Sequence, residues 1–164
     1  MNFTFDKANE RDLPGVMNIY RTSIGQKGCP WNTEYPSEET IRFDMERDAL
    51  FVLRDEDQEV AGCVSIDDDD EVKKLEFWDK EHVPAAELSR LGVLEKYQNA
   101  GLGRRLLDEG TEELKKQGYR AVHFMVYKYN ERAIRAYSKS GFSVVGETFM
   151  YNEDFICYEK FLDD

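Results

Sequence analysis

The stretch Gln98-Asn99-Ala100-Gly101-Leu102-Gly103 stands where an apolar, strand-like run gives way to a helix-like one. The first turn of a helix carries backbone N–H groups without partners and the positive end of the helix dipole. Glycines at 101 and 103 would let a phosphate come close to that backbone. A kinase-type phosphate loop needs Lys-Ser or Lys-Thr after its second glycine, and Arg104-Arg105 stands there instead. A dinucleotide fingerprint needs a third glycine near position 106, which is Leu106, and a strand close to the N-terminus. A diphosphate cradle of the Gln/Arg-x-x-Gly-x-Gly kind remains. Taken alone the spacing is weak, because glycines near helix starts often serve packing.

Other reactive side chains point to less. The 3 cysteines, Cys29, Cys63 and Cys157, cannot all pair within one chain. Cys63 and Cys157 lie in apolar runs, as reduced core cysteines do. The 2 histidines, His82 and His123, are far apart in sequence with no cysteine nearby, so no metal is expected. No cysteine sits beside a histidine and an acid in the pattern of an acyl-enzyme. His123, within an apolar strand, is expected to be structural.

The elements that must position the junction follow from periodicity. Phe3 to Lys7 reads as a short strand, and Leu13, Val16, Met17, Tyr20 and Ile24 recur at helical spacing. Gly25 to Pro36 is a loop, and Ser37 caps a second helix through Ile41 and Met45. Ala49–Arg54 and Val60–Ile66 form a hairpin, with Gly62 marking a bulge or a close approach. Asp67 to Glu71 reads as a solvated acidic loop. Ala86–Leu94 is apolar enough to be a central strand. A helix then carries Leu102, Leu106, Gly110 and Leu114 on one face and ends at Gly118. Ala121–Tyr127 is a strand, and Asn130 starts a helix through Ala133, Ile134 and Tyr137, closed by Gly141. Phe142–Val145 and Phe155–Leu162 are the last strands. This alternation predicts an α/β chain with a mixed sheet and at least one crossover.

Leu88-Ser89-Arg90-Leu91-Gly92-Val93, Tyr97 to Gly103, and Asn130…Ala133…Tyr137…Gly141-Phe142 together closely resemble the GNAT superfamily of acetyl-CoA-dependent N-acetyltransferases. The resemblance is densest over residues 85–145 and extends loosely to the whole chain. It implies one domain over 1–164, with a mostly antiparallel sheet of six to seven strands flanked by about four helices. It implies acetyl-CoA as co-substrate. Backbone amides of Gln98, Asn99, Ala100, Gly101, Leu102, Gly103 and Arg104 would hold the diphosphate, and Arg104 and Arg105 would add charge; a solvated helix face suits those two equally. Leu91 and Val93 fall where the family splays a strand and pairs it with the pantetheine arm, as an added strand pairs. Asn130 falls where the family contacts that arm; a plain helix cap suits it equally.

Acyl transfer to an amine needs a base for the ammonium proton, a donor for the developing oxyanion and a proton for the departing thiolate. Tyr137 sits where the family places the tyrosine that protonates the thiolate; a core aromatic is the competing reading. Glu87, on the central strand before Gln98, has the spacing of the base in the histone-acetyltransferase branch, and a solvent-facing strand-end carboxylate competes with it. It is expected to be ionised at neutral pH even if burial raises its pKa moderately. The branch that acetylates ribosomal-protein N-termini carries a glutamate where Met125 stands, so a mechanism copied from that branch is disfavoured. A water chain in place of a base stays open. Trp31 and Tyr35 fall where the family walls the acceptor site, with Tyr127 and Tyr129 opposite, and rim packing competes for each.

Charge and composition bound the partners. The net charge is −12 and the pI near 4.7. Such a surface disfavours nucleic acid and anionic lipid and favours cations. Its other reading is plain solubility. No apolar run approaches the ~20 residues of a membrane span, and the first residues lack a signal-peptide pattern. A cytoplasmic acetyltransferase acting on a small-molecule amine, a polyamine or a peptide amine is therefore expected, with homodimerisation left open. The alternative is a non-catalytic acyl-CoA-binding module.

Overall fold

The computed structural model describes residues 2–162. Thr4–Lys7 forms β1, Leu50–Arg54 β2, Val60–Asp67 β3, Ala85–Val93 β4, Ala121–Tyr127 β5, Ser143–Met150 β6 and Glu153–Phe161 β7. They make one 7-stranded sheet in the order β1-β2-β3-β4-β5-β7-β6. Among the described residues only β4 and β5 pair in parallel. Parallel neighbours need a long crossover, which here is the helix α4, Leu102–Lys116.

The remaining helices are α1 (Leu13–Ser23), α2 (Glu38–Glu46), α3 (Asp70–Lys73) and α5 (Glu131–Tyr137). Each start has a local cause. Ser37 accepts from the Thr40 amide at 3.4 Å while the Thr40 hydroxyl accepts from the Ser37 amide at 3.1 Å, a reciprocal cap on α2. Pro14 sits in the first turn of α1, where its missing N–H costs nothing. The single turn of α3 lies in the stretch expected to be a solvated loop. Asp69 caps it by accepting from the Glu71 amide at 3.0 Å. The last hairpin is longer than expected, because β6 runs on to Met150 along β7.

Helices cover both faces of the sheet. Along β2, Leu50 and Val52 join Val16, Ile19, Tyr20 and Ile41 of α1 and α2. Phe51 and Leu53 join Leu106, Leu107 and Leu114 of α4 on the other face. Alternation along an extended strand buries all five β2 residues this way. A Cβ on Gly62 would lie 2.8 Å from Leu106 Cδ1, so glycine here lets α4 lie close to β3. Truncating the fully buried Leu106 to Ala would cost about 2–5 kcal/mol.

Candidate active site

The parallel pair β4–β5 holds register only from Ala85↔Ala121 to Leu88↔Phe124. Beyond Leu88, β4 stays on β3 as far as Val93, and β5 stays on β7 to Tyr127. The two strands therefore part, and a cleft of about 1260 Å³ lies in the opening. A bulge shapes its floor. Cys63 faces Gly92 while Ser65 faces Ser89, so Arg90 and Leu91 share the place of one residue. Arg90 takes a φ of 48°, in the left-handed region. Leu91 and Val93 line the cleft.

The N-terminus of α4 closes one side. Gly101, at φ 81°, precedes the helix, and no side chain caps it. The first intrahelical bond runs from the Arg105 amide to the Gly101 carbonyl, so the amides of Leu102, Gly103 and Arg104 have no carbonyl in their own helix. A Cβ on Gly101 would meet no atom within 4 Å, so its backbone stands open to a ligand. Gln98, Asn99, Gly101, Leu102, Gly103 and Arg104 line the cleft. Ala100 does not. It is exposed at the outer corner of the turn, between the left-handed residues Asn99 and Gly101. Arg105 also departs from expectation: its guanidinium donates to the Phe3 carbonyl and to Glu109, both at 2.8 Å, on the flank of α4.

Gln98 ties the two rims together, which sequence reasoning missed. Its amide nitrogen donates to Gln26 Oε1 at 3.1 Å and to the Val93 carbonyl at 3.2 Å, and its oxygen accepts from Arg132 at 3.0 Å. The loop after α1 thus reaches α5 over the cleft. Gly28, at φ 82°, lies against Asn130, where a Cβ would stand 3.0 Å from the Asn130 Cα. Asn130 caps α5, its Oδ1 accepting from the Ala133 amide at 3.1 Å. No signal in the sequence links residues 26, 98 and 132, since only the fold makes them neighbours.

Tyr137, at the end of α5, is 9% exposed and stands edge-on to Phe124 at 5.3 Å. Its hydroxyl reaches over the first turn of α4, where it would lie 3.1 Å from a Cβ on Gly103. Burial pushes its pKa above the ordinary range, so the phenol keeps its proton. Glu87 points into the cleft from β4, and its buried Oε1 has no hydrogen-bond partner among the described residues. Burial, then the carboxylates of Asp67 and Asp69, push its pKa well above the usual carboxylate value. The free protein thus holds Glu87 closer to protonation than the moderate rise expected from sequence. An ammonium in the cleft would draw it back toward the ionised form.

Of the aromatic residues expected at the acceptor wall, three line the cleft and Tyr129 does not. Trp31, Tyr35 and Tyr127 all line the cleft. Trp31 is also wedged edge-on to Tyr20 at 5.3 Å, and Tyr127 to Tyr129 at 5.4 Å. The Tyr35 hydroxyl accepts from Arg90 Nη1 at 3.0 Å. Arg90 is buried beneath it and grips both oxygens of Asp44, at 2.9 and 3.0 Å, and both of Asp67, at 3.0 and 3.2 Å. Asp67 is therefore a paired, largely buried carboxylate and not part of a solvated run. Burial alone would raise its pKa, but Arg90 more than offsets this and holds it below the ordinary value. Asp68, Asp69, Asp70, Glu71 and Glu153 complete an acidic rim, with Tyr151 donating to Asp69 at 2.7 Å.

Residues 15–142 match the family model of the acetyltransferase (GNAT) family. The chain belongs to that family. Mycothiol acetyltransferase of Propionibacterium freudenreichii is 36% identical over 73 residues, 44% of this chain and 23% of that protein. The Corynebacterium aurimucosum mycothiol acetyltransferase is 35% identical over 71 residues, 43% and 23% of the two chains. The chain thus spans about a quarter of the length of these relatives. Solved structures agree on the GNAT fold. The Escherichia coli ribosomal-protein-S18-alanine N-acetyltransferase superposes with a TM-score of 0.75 at 23% identity, over 99% of this chain and 96% of that one. The Salmonella typhimurium protein yncA, solved with its cofactor acetyl-CoA, gives 0.75 at 21%, over 100% and 96%. The GNAT family's acetyl-CoA fits the residues present here: an open glycine, an uncapped helix start and a cleft running from them to Glu87.

Proposed function

We propose that this chain transfers an acetyl group from acetyl-CoA to the amine of a cationic acceptor, by direct attack with both molecules in the cleft. The parting of β4 from β5 carries this reading. It joins an anion-receptive helix start at one end to the Glu87 carboxyl, whose buried Oε1 has no partner among the described residues, and an acidic rim at the other. Amides of Leu102, Gly103 and Arg104 hold the diphosphate, and the stretch from Leu91 to Val93 receives the extended arm. Acetyl-CoA supplies an activated acyl group as a thioester. Tyr137, which keeps its proton, donates to the leaving sulfur. Glu87 receives the proton that the ammonium gives up, either directly or through water. The aromatic rings of Tyr35 and Tyr127 and the rim carboxylates hold positive charge at the mouth.

The test is release of free CoA from acetyl-CoA across a panel of mono-, di- and polyamines, basic peptides and anionic amines, with mass-spectrometric detection of the acetylated product. Cationic amines should turn over, and anionic ones should not. Tight binding of acetyl-CoA without release on any amine would leave a binding module.

A further inference from the structure

A second cavity, of about 730 Å³, adjoins the cleft under α3. The two share the lining residues Asp67, Asp68, Asp69, Val72 and Glu87. Glu87 thus lines both spaces. Across the sheet, Asp67, Glu87, His123 and Glu159 stand in one register row on β3, β4, β5 and β7. Residues directly opposite in a sheet project from the same face, on strands about 4.8 Å apart. His123 lines the second cavity but not the cleft. Its Nε2 lies 2.9 Å from Glu159 Oε2. Both Glu159 oxygens also accept from the Asp79 amide, at 3.0 and 3.3 Å. An acceptor so placed fixes the Nε2–H tautomer of a neutral His123 and leaves the lone pair on Nδ1. The ring stacks on Trp78 at 3.8 Å, which holds its plane.

We propose that the proton taken from the acceptor leaves the cleft by this back door, from Glu87 through the second cavity to the His123–Glu159 pair. The proposal rests on Glu87 acting as the base. The carboxylate of Glu87 takes H⁺ from R–NH₃⁺, leaving R–NH₂ to attack. The resulting carboxylic acid passes H⁺ through cavity water to Nδ1 of His123, forming an imidazolium that the Glu159 carboxylate neutralises. The imidazolium then releases H⁺ to solvent through the cavity mouth, and Glu87 is a carboxylate again. No electrons change hands and no further reactant is needed.

The surroundings move the two groups in opposite directions from their ordinary values. Asp67 on β3, Asp69 and Lys73 about α3, Arg90 on β4, Cys157 on β7 and Tyr151 after β6 surround Glu87, and their net effect with burial is upward. His123 meets Glu159 on β7 and the Trp78–Asp79 segment, and burial lowers it despite Glu159.

The experiment compares kcat, KM and pH profiles for Glu87→Gln, Glu159→Gln and His123→Ala with the best amine of the panel. Glu159→Gln keeps the shape of the pair, and His123→Ala leaves room for added imidazole. We expect both to lose about ten-fold in kcat with KM for acetyl-CoA unchanged, and imidazole to restore His123→Ala in proportion to its free-base fraction. Unchanged kcat in both, or a loss that imidazole does not restore and that follows a loss of folded protein, overturns the relay. Unchanged kcat in Glu87→Gln overturns the base reading itself, so the two failures are separable.

Discussion

The hydroxyl of Tyr137 stands over Gly103, at 3.1 Å from where a Cβ on that glycine would be. A residue from the end of α5 is thereby held above the first turn of α4. Tyr137→Phe removes one oxygen and little volume. It should keep the fold and the affinity for acetyl-CoA while lowering kcat by about ten-fold or more. Steady-state kinetics beside acetyl-CoA titration checks this, and equal kcat values would return Tyr137 to a packing role.

Gly101→Val should weaken acetyl-CoA binding by at least ten-fold, since a side chain would fill the open approach to the helix start. Its φ of 81° also makes any side chain strained. Gly118→Val is the control: φ is 92°, the surrounding space is equally open, and the site lies at the far end of α4. Both should lose stability by about 1–3 kcal/mol. Only the first should lose affinity by calorimetric titration.

Glu87→Gln should separate from the parent in a pH-dependent way. With Glu87 raised well above the usual carboxylate value, the parent's kcat/KM should climb as pH rises through that folded pKa. The variant lacks this step. The gap should be small in acid, widest at intermediate pH, and narrow again near the pKa of the amine, where solution supplies the neutral nucleophile. Parallel profiles would exclude the carboxyl as base.

The same substitution should stabilise the fold at high pH. A carboxyl whose folded pKa is raised favours the native state below its unfolded pKa, and that contribution is lost as pH rises toward the folded value. Melting temperatures of Glu87→Gln and parent should coincide near pH 4. The variant should melt higher at pH 8, a gain in stability accompanied by a loss of activity.

Asp44→Ala should be among the costliest polar changes in the chain. It strips the buried Arg90 of a two-point partner and Ser65 of the acceptor of its 2.7 Å bond. Removing one side of a buried pair costs about 3–5 kcal/mol. Denaturant unfolding measures it. Tyr35→Phe, which loses one bond at a half-exposed ring, should cost less than ~1.5 kcal/mol.

Much of this protein was legible in the residues alone. Period-2 and period-3.6 patterns set most strands and helices, because each element must bury one face. The two glycines at 101 and 103 marked the helix start, because that feature depends on local backbone geometry, and the family resemblance singled out Asn130 and Tyr137. What the sequence could not decide depends on residues far apart meeting. Arg90 read as an ordinary strand residue, and Asp67 as one of a solvated run. Only a bulge that turns Arg90 inward made them a buried pair with Asp44. Arg105 read either as added charge beside the diphosphate or as part of a solvated helix face, and only the return of β1 offered it the Phe3 carbonyl. Glu87 was visible as a carboxylate on a central strand. The degree of its burial, its two cavities and its row-mates His123 and Glu159 were not, since strand register and desolvation are properties of the assembled sheet.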